Sequence, residues 1–177
     1  MNRRHPYPRQ YPRYWMMTDE RQGDQLFAAV ARLPRGAGVI FRHHATPPAT
    51  RRALFDRLRA MCRQRGLTLL LAGDEPWRAD GTHHRRPGPP RIGTAPAHDL
   101  RELRAAERSV AALILISPVY PTRSHPGAPA LVPMRFAAIA RATRLPVLAL
   151  GGMDPKRGRQ AMQLGAYGWA AIDAWTR

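Results

Sequence analysis

The chain has 177 residues, 44% of them hydrophobic, which suits one globular domain and leaves too little length for two. Its 29 basic residues against 12 acidic ones give a formal net charge of +17, and every basic residue except Lys156 is an arginine. No apolar run approaches the roughly 18–20 residues of a membrane span, the N-terminus lacks an apolar signal core, and Cys62 alone excludes an internal disulfide and suits a reducing cytoplasm.

Residues 1–13 read as a basic Pro/Arg-rich tail, with Arg3, Arg4, Arg9 and Arg13 set among Pro6, Pro8 and Pro12. Residues 14–177 read as the folded domain. Tyr14–Thr18 is a short apolar run suited to a buried strand. Asp24–Leu33 has helical spacing, and Gly38–Arg42 is the next strand. Thr50–Arg65 is the clearest helix, with an apolar stripe of Leu54, Leu58, Met61 and Cys62 and a closing Gly66. Leu67–Leu71 is a continuous apolar strand, as expected where both faces are buried. Short strands follow at Asp80–His83 and Arg91–Thr94. Asp99 and Glu102 have the spacing of a capping box and open a helix that runs to about Arg108. Ala111–Ile116 is a strand, Val132–Arg144 a helix, and Pro146–Leu150 a strand ending in Gly151-Gly152. Asp154-Pro155 starts a helix that ends near Gly165, and Tyr167–Ile172 is the last strand.

Alternation of this kind implies parallel strands with right-handed crossovers. About eight strands point to an α/β fold of the (β/α)8 TIM-barrel type. The chain is short for that fold, which usually takes over about 200 residues. The shortfall falls after strands three, four and eight, where helices are reduced or missing. Strand faces left bare there would find a partner surface, so self-association is expected. The arginines are spread along the chain, so contact with nucleic acid is expected to be non-specific only.

Several segments share one further likeness. Ser117-Pro118-Val119-Tyr120-Pro121-Thr122 is similar to a G-P-V-F-x-T strand end, and Pro126-Gly127-Ala128-Pro129 continues it. Leu150-Gly151-Gly152-Met153 and Gly165-Ala166-Tyr167-Gly168-Trp169-Ala170 match two later strand ends. Thr18-Asp19, Arg42 and Asp80-Gly81-Thr82-His83 match earlier ones. From about Tyr14 to Trp175 the chain resembles thiamine phosphate synthase and its relative the thiazole tautomerase, both (β/α)8 barrels. The resemblance implies a transferase of thiamine biosynthesis that joins a pyrimidine pyrophosphate to a thiazole phosphate. Mg2+, held by carboxylates, and basic side chains would receive the leaving pyrophosphate, and backbone N–H groups after strands seven and eight would hold the thiazole phosphate.

The residues that carry this chemistry depart from the family pattern. Q-x-R-x-K on strand two reads Ile40-Phe41-Arg42-His43-His44. The metal-binding N-D after strand three aligns with Ala72-Gly73, which leaves Asp74, one place on, as a weak metal candidate. No acid stands in His84–Arg91. The T-x-T-K loop reads Thr122-Arg123-Ser124-His125, and a strand-eight Ser reads Asp173. The tautomerase His reads Pro118. The candidate phosphate-binding residues are therefore Arg42, His44, Thr122, Ser124, His125, Gly151 and Gly152, and a phosphorylated small molecule is the implied ligand. Arg42, inward by strand alternation, needs either an anionic ligand or an internal partner such as Asp19. The pairs His43-His44 and His83-His84 cannot chelate a metal from one regular strand, because neighbours point to opposite faces. Two readings follow: a synthase with degraded chemistry residues, or a non-catalytic barrel that binds a ligand or partner.

Overall fold

A computed structural model of the chain describes residues 11–84, 92–109, 111–124, 127 and 129–176. Most of the stretch read as a tail lies outside these residues, as does His125. Eight parallel strands close into a barrel in chain order: β1 (Tyr14–Met17), β2 (Gly38–Phe41), β3 (Thr68–Ala72), β4 (Gly81–His83), β5 (Ile92–Ala97), β6 (Leu113–Ile116), β7 (Val147–Ala149) and β8 (Gly168–Ala171). β8 returns to β1 with Tyr14 opposite Trp169 and Met16 opposite Ala171. Helices α1 (Gln25–Arg32), α2 (Pro48–Arg65), α3 (Leu100–Arg108), α4 (Val132–Arg141) and α5 (Pro155–Gln163) follow β1, β2, β5, β6 and β7. Among the described residues none follows β3, β4 or β8, so the fold is the shortened (β/α)8 barrel that the sequence implies. No helix among them is long and apolar enough to cross a membrane.

Strand alternation sorts the core. Trp15, Met17, Ile40, Leu70, Leu113, Leu115, Leu148, Tyr167 and Ala170 fill the barrel interior. Trp15 needs room, and Gly38 supplies it: a Cβ at Gly38 would run into the indole. Below the barrel the indole N–H of Trp15 donates to the Pro12 carbonyl at 2.7 Å, and Trp169 N donates to the Arg13 carbonyl at 2.8 Å. Outside, one apolar cluster joins β1–β3 to α1 and α2 through Leu26, Val30, Phe41, Phe55 and Leu58. Another joins β5–β8 to α3, α4 and α5 through Leu103, Ile114, Phe136 and Trp169.

Two local readings need correction. On α2 the buried face carries Arg51, Phe55, Leu58 and Cys62, not Leu54 and Met61, which are half-buried. The helix is turned so that Phe55 packs on Phe41 and Trp77, with ring centroids 5.6 and 5.0 Å apart. Burial pushes the Cys62 thiol up to about 12, so it is inert at neutral pH. β5 continues to Ala97 through Pro96, a residue that normally ends a strand. Gly93 and Ala97 turn their carbonyls to β6 and Thr94 turns its own toward β4, so Pro96 presents its missing N–H on the β4 side. The β4 ladder has already stopped there, at His83 opposite Thr94, so no ladder bond is lost.

Two of the three strand faces expected to be bare are covered. Trp77, from the β3–β4 connection, packs against the outer cluster of β1–β3. Trp175, after β8, stacks on Trp169 at 5.1 Å with the rings 8° from parallel, and touches both outer clusters. Single indoles thus cover β3 and β8 where helices are missing, which removes at those strands the ground for expecting self-association. Trp175→Ala should cost roughly 2–3 kcal/mol, below the ~3–5 kcal/mol of a fully buried aromatic, and Trp175→Phe less than about 1.5 kcal/mol. Urea denaturation with a two-state fit measures both, and a wild-type midpoint for Trp175→Ala would show that the indole is not a structural cover.

Candidate functional site

Two cavities open at the carboxyl ends of the strands, the end that carries function in this fold. The larger, about 490 Å3, lies between the ends of β1, β6, β7 and β8. The smaller, about 350 Å3, lies over β2, β3 and β4. Arg42, just past β2, lines both. The structure places the sequence candidates as follows. Thr122, Ser124, Gly151 and Gly152 line the larger cavity with Arg42. His44 and Asp74 line the smaller one with Arg42.

Arg42 does not pair with Asp19. Asp19 caps the 3-10 turn Glu20–Gln22 and takes the Arg21 guanidinium at 2.7 Å. Burial would raise the Asp19 carboxyl, but the hydrogen bonds and charge of Arg21 outweigh it and hold the group below its usual range. Arg42 takes its place through its backbone, with its N–H on Thr18 Oγ1 at 3.0 Å, and its Nη1 lies 3.4 Å from Met17 Sδ. Among the described residues the Arg42 side chain has no carboxylate at ion-pair distance, and its charge, which also helps to lower Asp19, stands between the two cavities.

The larger cavity is walled by charge pairs. Asp173, after β8, takes Arg123 Nη2 at 2.9 Å. Arg21 Nη2 donates to Ser124 Oγ at 3.1 Å, so two arginines tie the segment after β6 to the ends of β1 and β8. Asp154 caps α5 by accepting from Arg157 N at 2.9 Å. The Arg157 guanidinium donates to the Gly152 carbonyl and lies 4.6 Å from the centre of the Tyr120 ring. Between these pairs the wall is apolar, with Met17, Pro118, Leu150 and Ile172.

The smaller cavity depends on Arg51, whose burial the sequence did not reveal. Its guanidinium donates to the Arg42 carbonyl at 2.9 Å and to the Ala72 carbonyl at 2.7 Å, and it pairs with Glu75. One buried cation thus fixes the ends of β2 and β3 together. Gly73 follows at φ +133°, where a side chain is strained, and a Cβ there would run into the Glu75 carboxylate. The turn therefore does not accept an aspartate at Gly73. His83 Nδ1 is 2.9 Å from Thr94 Oγ1. Burial first, then the charges of His84, Arg42 and His44, push its imidazole down to about 3. His44 is lowered by burial and by Arg51 and Arg42, and His43 chiefly by burial. The Mg2+ implied by the resemblance asks for several oxygen ligands. Among the described residues this cavity offers one carboxylate, Asp74, beside imidazoles and a guanidinium, and no cluster of three ligating side chains occurs among them. The residues present do not fit that ion.

Sequence reading also missed His98. Glu102 serves the α3 cap, yet its carboxylate reaches back to His98, with Oε2 2.7 Å from Nδ1 and 2.9 Å from the backbone N. His98 lines the larger cavity. The Ala97–Ile116 pairing sets it beside Ser117, which lines the cavity too. The i,i+4 spacing of His98 and Glu102 carried the signal, but the capping role of Glu102 hid it.

With this geometry in hand, likeness to known proteins can be stated. The family model described as thiamine monophosphate synthase matches residues 14–175. The chain belongs to this family. It is 34% identical over 76 residues to the "Putative thiamine-phosphate synthase 2" of Aquifex aeolicus, covering 43% of this chain and 41% of that one. It is 27% identical to the "Thiamine biosynthesis bifunctional protein ThiED" of Geobacter sulfurreducens, over 90% of this chain and 36% of that one. The matched part thus spans well under half of either curated relative. Among solved structures, a "Thiamine phosphate pyrophosphorylase" of Pyrococcus furiosus superposes with a TM-score of 0.76 at 21% identity, covering 94% of this chain and 88% of that one. At that identity the likeness establishes the barrel fold.

The histidines give this family member an acid-sensitive end. His43, His44 and His83 all hold a proton more weakly folded than unfolded. As pH falls below about 6.5 the unfolded chain takes up protons first, so stability is full above about pH 7 and falls in acid. For His83 the fall continues until about pH 3. His83→Gln should therefore lose less stability than the wild type between pH 7 and pH 4, measured by urea denaturation at stepped pH. Equal slopes for the two proteins would mean that His83 is not held neutral by burial.

Proposed function

We propose that this protein is a ligand-binding barrel of the thiamine monophosphate synthase family. Its larger cavity holds a small heteroaromatic, thiazole-like molecule, and coupling to a pyrimidine pyrophosphate is feeble. The observation that carries this reading is the contrast between the two cavities. The larger has an apolar wall for a ring, with Arg42, Thr122, Ser124, Gly151 and Gly152 for polar contacts. The smaller, where a leaving pyrophosphate would need a metal and cations, has one carboxylate among its described lining, and burial holds His44 and His83 toward their neutral forms. Phosphate contact by His44 would need a proton that burial and neighbouring arginines disfavour. Both cavities are built from one chain, so the reading needs no second copy. A cytoplasmic protein with non-specific affinity for nucleic acid fits the lone buried thiol and the spread of arginines.

A synthase assay with pyrimidine pyrophosphate, thiazole phosphate and Mg2+, beside an active relative, tests the reading. The expected rate is at least roughly a thousandfold lower, about 4 kcal/mol of lost transition-state stabilisation. Turnover within tenfold of the relative would refute it and return the chain to the active synthases.

A further inference from the structure

We propose that Asp173, held by Arg123, sets the charge that the larger cavity accepts: the ligand's tail there is an uncharged hydroxyl, and a phosphate dianion is rejected. This deepens the reading of that cavity as a thiazole-type site and rests on it.

Three observations converge. The start of α5 would ordinarily attract an anion, because its first N–H groups point outward and its dipole is positive there. Asp154 already fills that role, with its carboxylate on Arg157 N at 2.9 Å. Arg157 is spent as well, on the Gly152 carbonyl, the Tyr120 ring and Asp154 at 3.7 Å. Arg123, which would otherwise meet a phosphate, is paired with Asp173 at 2.9 Å. Two carboxylates and two guanidiniums therefore balance at this corner of the cavity, and Arg42 stands on its other side. A dianion arriving here would have to take Arg123 from Asp173 and then sit beside that released carboxylate. A hydroxyl meets no such conflict. It donates its proton to an Asp173 carboxylate oxygen, which accepts without giving up the arginine. A phosphate dianion has no proton to donate, so the same carboxylate that welcomes the alcohol repels the ester. Discrimination built on a donor that one ligand has and the other lacks is the strong kind.

Calorimetric titration with a thiazole alcohol and its phosphate ester, at pH 8 and low salt, reads the preference directly. The wild type should bind the alcohol at least tenfold more tightly than the ester. Asp173→Asn keeps the shape and removes the charge, and should shift the ratio at least tenfold toward the ester, with Asp173→Ser doing the same. A wild type that prefers the ester, or an unchanged ratio in both variants, overturns the proposal. If neither thiazole binds the wild type, the reading of the cavity as a thiazole site fails, and inorganic phosphate then decides the charge question alone. Titration followed by 31P NMR should show phosphate binding gained in Asp173→Asn, through the released Arg123, and absent from the wild type. No gain overturns the inference, and circular dichroism of each variant confirms that it is folded.

Discussion

Closure of the barrel is the constraint on which everything else rests, because all eight strands must find two neighbours while the described residues supply five α-helices. Parallel strands need crossovers and burial on both faces. The inner faces are satisfied by large side chains, above all Trp15 lying over Gly38. The outer faces of most strands receive a helix. At β3 and β8 they receive one indole each, Trp77 and Trp175. An indole covers much less than a helix. It suffices because β4 is three residues long and carries little outer apolar surface, and because Trp175 spans both outer clusters where β8 meets β1.

The same closure creates the two cavities and links them. β2 ends at Phe41, and the next residue, Arg42, stands where the large and small openings meet. Its backbone is held from two sides, by the Thr18 hydroxyl after β1 and by the Arg51 guanidinium from α2. Arg51 is thus a strut: it takes up the free carbonyls at the ends of β2 and β3, and its own charge is met by Glu75 and the faces of Phe41 and Trp77. A charge buried this way is costly unless fully partnered. Here each partner is an element of the rim, so the cost is offset by fixing the position of the one arginine that faces both cavities.

Legibility followed the type of interaction. The strands could be read because runs such as Leu69-Leu70-Leu71 and Ile114-Leu115-Ile116 are apolar on both faces, a pattern that chain order alone converts into a parallel barrel. The missing helices could be read from length. What covered their place could not, since a lone tryptophan in a loop has no periodicity. Arg51 was hidden because an arginine at the start of a charged helix looks solvated until the ends of β2 and β3 are brought over it. The Arg123–Asp173 pair joins residues 50 positions apart, and nothing local announces it. The pairing imagined for Arg42 failed for a local reason: Asp19 has its own arginine two residues away, and a short-range capped pair forms at less entropic cost than one across the rim.

The charged side chains around the two cavities mostly stand in pairs. A buried charge left without its partner is expensive in a folded protein. At the smaller cavity His44, Ala72 and Gly73 line the wall beside Asp74 and Arg42. His44 and His83 are held below their ordinary values and carry little charge at neutral pH. At the larger cavity Arg123 stands across from Asp173 and neutralises it. Among the described residues the rim's carboxylates at Asp19, Asp154 and Asp173 are each met by an arginine of the chain itself, and the Arg42 side chain has no carboxylate at ion-pair distance. A rim paired in this way presents little net charge to the larger cavity, and what positive charge it does present comes from Arg42.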